Sequence, residues 1–386
     1  MNFETVGLRP ELIAGLDKQG ITEIIGIQDK MFSAIAAGEN IIACSQTGSG
    51  KTLGYLLPIF QRQEMIQNSF QVVILVSTHE LGLQVHRQIE MLAANSGIQV
   101  RSALVFGNAN IDLQIKALKT KPQIVVGTPG RVLDLMQKKH IPAHLAKTII
   151  VDEGDLLFNR NNIQVVSAVI KKSMRDTQLV VVSASIVKHT KEAIEALGKR
   201  PSIILEAKEA RIPSCIKHIC VTCDERDKPD YLRKLMSALE PTKAIAIINN
   251  RDMLEKVAAK LKYHNVCADY IHGESTRQDR KRVMDAFRKG GLQLLLATDL
   301  AARGLDFQDV DVVFSLTTSE DTNDYLHKAG RTGRCGKDGV CVSLVSSKEM
   351  PMYQACEKQF GLQIQQKYLY QGKLIDKQQT KRTMLN

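Results

Sequence analysis

Short unbroken apolar runs alternate along this chain with longer stretches in which apolar residues recur at three- and four-residue spacing. Runs such as Val72-Val73-Ile74-Leu75-Val76 suit strands buried on both faces, and the longer stretches suit helices laid over them. Together they predict an α/β fold built on parallel sheets covered by helices. In the first half, strands are predicted at Asn40–Cys44, Gln71–Val76, Val100–Val105, Ile124–Gly127, Lys147–Val151, Leu179–Ser183 and Ser202–Leu205. Helices fall between them, for example over Lys51–Gln61 and Ile163–Ser173. The rhythm breaks over residues 206–229, a charged, irregular stretch that includes Pro213 and Pro229. It resumes with strands predicted at Ala244–Ile248, Val266–Tyr270, Leu292–Ala297, Val310–Leu316 and Val340–Leu344. The pattern divides the chain into two domains, residues 1–206 and 216–366, joined by a linker at 207–215. Residues 367–386 read as a basic tail, with Lys367, Lys373, Lys377, Lys381 and Arg382 against Asp376.

Composition narrows the class. The 386 residues suffice for two ordinary domains. An apolar share of 44% with 24% charged residues fits a soluble protein with sizeable cores. The net charge is +11 and is shared between the halves. Residues 1–206 hold 22 Lys and Arg against 18 Asp and Glu, and the remainder holds 30 against 23. A surplus in both halves suits an extended polyanion, and also suits a dispersed solubility charge. The eight cysteines follow no metal-ligand spacing: Cys215, Cys220 and Cys223 lie close together without a matching pair, so they read as free thiols of a reducing compartment. The start, MNFETVGLRPELIAGL, lacks the apolar core of a signal peptide, and no stretch has the length of a membrane span. A cytoplasmic protein with no membrane partner is expected.

The sharpest local signal is Ser45-Gln46-Thr47-Gly48-Ser49-Gly50-Lys51-Thr52, which follows a predicted strand and opens a predicted helix. Glycines allow backbone N–H groups to wrap a phosphate, and the helix start adds donors and a favourable dipole. Lys51 is placed to pair with the β- and γ-phosphates, and Thr52 to hold Mg²⁺. The general phosphate-loop pattern has Gly where this chain has Ser45. A second signal complements it: the strand Lys147–Val151 ends in Asp152-Glu153-Gly154-Asp155. Asp152 at a strand tip can hold Mg²⁺, and Glu153 can orient and deprotonate a water, which makes the pair the hydrolytic half of an ATPase.

With these residues in order, the chain resembles the DEAD-box RNA helicases through nearly its whole length. The family's adenine-reading motif is met by Phe3, Gly20-Ile21 and Gln28, so Gln28 is expected to read the base with Phe3 or Ile21 packed near it. Ser77-Thr78-His79-Glu80-Leu81 stands where Pro-Thr-Arg-Glu-Leu is usual, and Gly107-Asn108 stands for a glycine doublet. Thr128-Pro129-Gly130-Arg131 matches the RNA-backbone motif, and Ser183-Ala184-Ser185 stands for Ser-Ala-Thr. In the second half, His272-Gly273 opens the segment that ends in Arg280 and Phe287. Thr298 to Asp306 matches the fifth motif, and His327 to Arg334 the sixth.

The resemblance implies two tandem RecA-like domains, ATP and Mg²⁺ as cofactors, and RNA as the partner, gripped mostly by its backbone. It further implies that Arg331 and Arg334 stabilise transition-state charge on the γ-phosphate and that Asp306 holds a ribose hydroxyl. Thr78, His79, Gly107, Thr128, Pro129, Gly130, Arg131, Arg280, Thr298 and Arg303 are expected to line the RNA track. Asp155, Ser183, Ser185 and His327 are expected to couple ATP state to RNA. Gly154 for Ala, Ser185 for Thr, His79 for Arg, Arg277 for Gln and Lys328 for Arg depart from the family pattern, which leaves the ATP pocket intact and alters the RNA track. The function this supports is an RNA-stimulated ATPase that opens short duplexes or remodels RNA–protein complexes, ribosome assembly among them. An ATP-gated RNA clamp or assembly scaffold with slow hydrolysis, and a DNA-directed motor, are the alternatives.

Overall fold

The computed structural model describes residues 3–45, 50–62, 69–107, 109–159, 162–184, 188–199, 203–206, 215–302, 307, 309–319, 322–333 and 337–376, with the side chains of 188, 189, 203–206, 277, 300 and 323 left aside. The chain forms two compact units, Met1–Ala210 and Arg211–Asn386.

In the first unit, α1 (Pro10–Asp17) and α2 (Gly26–Ala36) precede β1 (Ile41–Cys44). Then follow α3 (Lys51–Gln61), β2 (Val72–Leu75), α4 (His79–Ser96), β3 (Ser102–Val105), α5 (Ile111–Lys119), β4 (Ile124–Gly127) and α6 (Pro129–Gln137). The unit continues with β5 (Thr148–Asp152), α7 (Gly154–Leu157), α8 (Ile163–Lys172), β6 (Gln178–Ser183), α9 (Lys188–Ala196) and β7 (Ile203–Glu206). The seven strands are parallel, in the order β3-β4-β2-β5-β6-β1-β7. Successive strand residues feed opposite cores. Val72, Ile74, Ile150, Val180 and Val182 pack on one face, while Val73, Leu75, Ile149, Val151, Leu179 and Val181 pack on the other. This two-sided burial is why the strands read as continuous apolar runs. Helices laid on both faces leave the carboxyl ends of the strands as one edge, where open α/β sheets collect their ligand-binding loops.

The second unit holds β8 (Ile216–Thr222), α10 (Lys228–Leu239), β9 (Ala244–Ile247), α11 (Arg251–Tyr263), β10 (Ala268–Ile271), α12 (Arg277–Arg288), β11 (Leu294–Ala297) and α13 (Asp299–Ala302). It closes with β12 (Val312–Ser315), α14 (Thr322–Ala329), β13 (Gly339–Val345), α15 (Met350–Phe360), β14 (Ile364–Tyr370) and β15 (Lys373–Asp376). The strand order is β10-β11-β9-β12-β13-β8-β14-β15, parallel except for the β14–β15 pair.

Two sequence expectations are corrected here. The irregular stretch 206–229 contains β8, an inner strand of this sheet. Lys217 and His218 broke its apolar run, yet His218 is buried because its Nδ1 bonds the Tyr325 hydroxyl at 2.8 Å. The tail expected from Lys367 is sheet as far as Asp376. Gln371 and Gly372, both at positive φ, turn the chain in a two-residue hairpin, so polar residues that read as a tail pair across it instead. No helix among the described residues is long and apolar enough to cross a membrane.

Candidate functional site

The loop after β1 enters α3 through Gly50, whose φ of 70° and ψ of 20° place it in the left-handed region that suits glycine. A Cβ there would also stand 2.3 Å from the Gln28 amide nitrogen. Gln28 is buried on α2; its Nε2 donates to the Gly50 carbonyl at 3.0 Å, and its Oε1 accepts from Ile25 N–H at 3.0 Å. The expected base reader thus bonds the end of the phosphate loop. Ser45 N–H donates to the Ser183 carbonyl at 3.0 Å, tying the loop's first residue to β6. Lys51 Nζ donates to the Ser45 carbonyl. Burial pulls the Lys51 ammonium below its usual range, and the carboxylates of Asp152, Asp155 and Glu153 partly offset that. Gln46, Thr47, Gly48 and Ser49 lie outside the described residues.

Asp152 ends β5 with 5% of its surface exposed. Its Oδ2 accepts the Tyr55 hydroxyl at 2.9 Å and its Oδ1 accepts Glu153 N–H at 2.9 Å. Burial, reinforced by Glu153, pushes its carboxyl up to about 6. Glu153 stands at φ 56° and ψ 53°, a left-handed conformation that costs a non-glycine residue on the order of 1–2 kcal/mol. The Ser77 hydroxyl donates to its Oε2. Tyr55 and Ser77 were not among the expected site residues. Tyr55 lies one helical turn after Lys51 on α3, a spacing that puts both on one face. Ser77, where the family has proline, supplies a donor that proline lacks.

Gly154 explains one departure. A Cβ there would lie 2.5 Å from Val181 Cγ1, so the alanine usual in the signature has no room over this strand. Asp155 N–H donates to the Ser183 hydroxyl at 3.2 Å, which joins α7 to β6; Ser185 lies outside the described residues. Phe3 is corrected in part. It is 1% exposed in the core with Leu8, Leu12 and Met31, so it offers no open face to a base and acts by supporting α2.

The RNA residues expected in this unit gather beyond β2, β3 and β4. Thr78 caps α4, its hydroxyl accepting Leu81 N–H at 3.2 Å. His79 meets Phe106 edge-on at 4.4 Å. Arg131 donates through Nη2 to the Gly107 carbonyl at 2.7 Å, drawing two of the expected RNA residues together. Thr128 and Pro129 open α6, and Gly130 is exposed with nothing within 4 Å of where a Cβ would stand. The starts of α4 and α6 thus point N–H groups toward the same sheet edge, an arrangement that can hold phosphates.

In the second unit, Arg280 Nη2 donates to the His272 carbonyl at 3.0 Å, and burial lowers the guanidinium's affinity for its proton. The Thr298 hydroxyl accepts Ala301 N–H at 3.2 Å at the start of α13. His327 and Arg331 are buried, and the Arg331 guanidinium lies 6.0 Å from the centre of the Phe307 ring. Lys328, at 2% exposure, donates to the Thr317 carbonyl at 2.6 Å, so this departure anchors α14 to the segment that follows β12. Arg303, Asp306 and Arg334 lie outside the described residues.

Comparison with known proteins agrees with this geometry. Residues 25–193 match the DEAD/DEAH box helicase family and residues 227–336 the helicase conserved C-terminal domain. The chain is 36% identical to the DEAD-box ATP-dependent RNA helicase CshC of Bacillus cereus, over 96% of this chain and 94% of that one. It is also 36% identical to the probable ATP-dependent RNA helicase YfmL of Bacillus subtilis, over 91% and 92%. Among solved structures it is similar to S. cerevisiae Dbp5 bound to RNA and ADP BeF3, with a TM-score of 0.85 at 26% identity and 95% coverage of both chains.

Proposed function

The chain belongs to the DEAD-box family of ATP-dependent RNA helicases, and on that premise we propose how its residues divide the work. It hydrolyses ATP and unwinds or remodels RNA. Gln28 leaves the Gly50 carbonyl to present an acceptor and a donor to the adenine edge. Lys51 holds the β- and γ-phosphates, and Glu153 orients and deprotonates the attacking water. Thr52 and Asp152 would hold Mg²⁺. One hydroxyl and one carboxylate, with phosphates and water completing the shell, is a donor set that ion accepts. When bound, it neutralises charge between the β- and γ-phosphates. Arg331 and Arg334 stabilise charge on the transferred phosphate, and Asp306 holds the ribose. Thr78, His79, Gly107, Thr128 to Arg131, Arg280, Thr298 and Arg303 grip the RNA backbone. Short duplexes and ribonucleoprotein assemblies, ribosomal ones included, are the substrates this grip suits.

The observation that carries the reading is the half-buried Lys51, whose ammonium is held in the field of Asp152, Asp155 and Glu153 at one sheet edge. It supports hydrolysis over a passive clamp, because a clamp has no use for a base beside the phosphate site. Two variants separate the roles. Lys51→Ala loses ATP affinity. Glu153→Gln keeps ATP but slows single-turnover hydrolysis by about 10²–10⁴, the usual worth of a positioned base. Wild-type turnover in the Glu153→Gln enzyme removes that residue from the role. A wild type that binds ATP and RNA but whose own single-turnover hydrolysis is negligible turns the reading toward the clamp.

A further inference from the structure

The last two strands do more than finish the sheet. Across the hairpin, Lys367 faces Asp376 and Leu369 faces Leu374, while Tyr368 faces Ile375 and Tyr370 faces Lys373. Cross-strand partners share a sheet face, so the two sets lie on opposite sides. Leu369 and Leu374 pack into the core built by α10 and its neighbours, and Lys367 reaches Asp376 at 3.6 Å on that side. Core packing therefore accounts for the Leu369–Leu374 face and, on the opposite face, for Ile364 at the start of β14.

Farther along that face stand two half-buried tyrosines, Tyr368 and Tyr370, with Gln366 and Lys373 exposed beside them. Residues two apart on a strand are about 6.7 Å apart, a spacing at which neighbouring rings can each take one base. The tight turn at Gln371–Gly372 makes the pair a preorganised platform. Charge favours a polyanion: from Gln365 to the end the chain has five Lys and Arg against the single Asp376. The hairpin sits at the far edge of the sheet from β10 and β11, which lead into His272 and Thr298. Six strand spacings, about 29 Å, separate β15 from β11.

We propose that the Tyr368–Tyr370–Lys373 face is an accessory site for single-stranded RNA, in which the two rings stack bases and Lys373 meets the backbone. The inference rests on the helicase reading above. It gives the enzyme a hold on RNA outside the stretch gripped by the core.

The test compares the intact wild type with Y368A/Y370A, Y368F/Y370F and K373E, using two uridine homopolymers. One is short enough to fill only the core, and the other long enough to reach the hairpin as well. With a non-hydrolysable ATP analogue, Y368A/Y370A is expected to bind the long strand about tenfold more weakly, which is about 1.4 kcal/mol and within the worth of one stacked base. Binding of the short strand and the hydrolysis it stimulates stay at wild-type level. Y368F/Y370F keeps the rings and the affinity. K373E, on an exposed position, lowers the salt slope of long-strand binding by about 0.7, the share of one phosphate contact. Wild-type affinity for the long strand in both Y368A/Y370A and K373E overturns the proposal and leaves the face to a protein partner. Failure of the helicase reading looks different: the short strand then stimulates no hydrolysis, whatever the hairpin carries.

Discussion

Asp152 combines two demands that conflict. Its position between Tyr55, Glu153 and Lys51 hides it from water, and its carboxyl is pushed up to about 6 as a result. Holding a cation requires the carboxylate. The value of kcat/KM for ATP, which reports the free enzyme, should therefore fall as pH drops below about 6, and the fall should vanish in Asp152→Asn at whatever residual rate remains. A pH–rate profile flat down to pH 5 in the wild type would remove Asp152 from the titration. Stability has its own sign. A folded-state value above the unfolded one means the native protein binds this proton more readily, so the group weighs against folding as pH rises from about 4 through 6. Asp152→Asn should be the more stable protein above pH 6, by up to about 3 kcal/mol, with the gain shrinking toward pH 4 in urea melts.

At the scale of elements, the packing of α7 on β6 decides the signature's third residue. Alanine normally favours a helix over glycine by about 0.5–1 kcal/mol. Here its methyl would meet the β-branched, fully buried Val181 at 2.5 Å, and overpacking of that kind costs about 1–3 kcal/mol. The clash should win. Gly154→Ala is expected to lower stability and, by displacing α7 with its Asp155–Ser183 bond, to slow hydrolysis. Val181→Ala opens the space, so the double variant should recover most of the loss, with a coupling of about 0.5–3 kcal/mol in a double-mutant cycle. Additive single effects would show that the two side chains do not compete.

Across the whole molecule, the proposed chemistry is split along the chain. Lys51 and Glu153 belong to the first unit, while Arg331 and Arg334 belong to the second. The proposed RNA contacts are split the same way, with Thr128 and Arg131 in one unit and Thr298 and Arg303 in the other. A ligand that engages both units lowers the cost of orienting them for the other ligand, and linkage makes the effect reciprocal. A non-hydrolysable ATP analogue should tighten RNA binding about 5–150-fold, which is about 1–3 kcal/mol. Arg331→Ala and Arg334→Ala should each erode that gain while leaving nucleotide binding without RNA much less affected. RNA affinity indifferent to nucleotide in the wild type would rule out coupled closure.

The sequence by itself determined what depends on local order. Two-sided apolar runs marked the inner strands of both sheets except β8 and β14, and the phosphate loop and Asp152-Glu153 could be placed at strand ends because each motif is continuous in the chain. Tertiary structure decided what depends on partners far apart. Polar residues in β8 and β14 read as loop and tail until His218 met Tyr325, 107 positions away, and until Leu369 and Leu374 found the core around α10. Tyr55 joined the site only because folding brings its hydroxyl to Asp152 across 97 positions. Gly154 stood as a departure with only an entropic cost until folding set Val181 against it. Lys328, which pattern alone showed only as a departure from the family's arginine, turns inward to the Thr317 carbonyl. A periodic pattern reports whether a segment can be buried, but the contact that buries it, and so the work its side chains do, exists only once the sheets have formed.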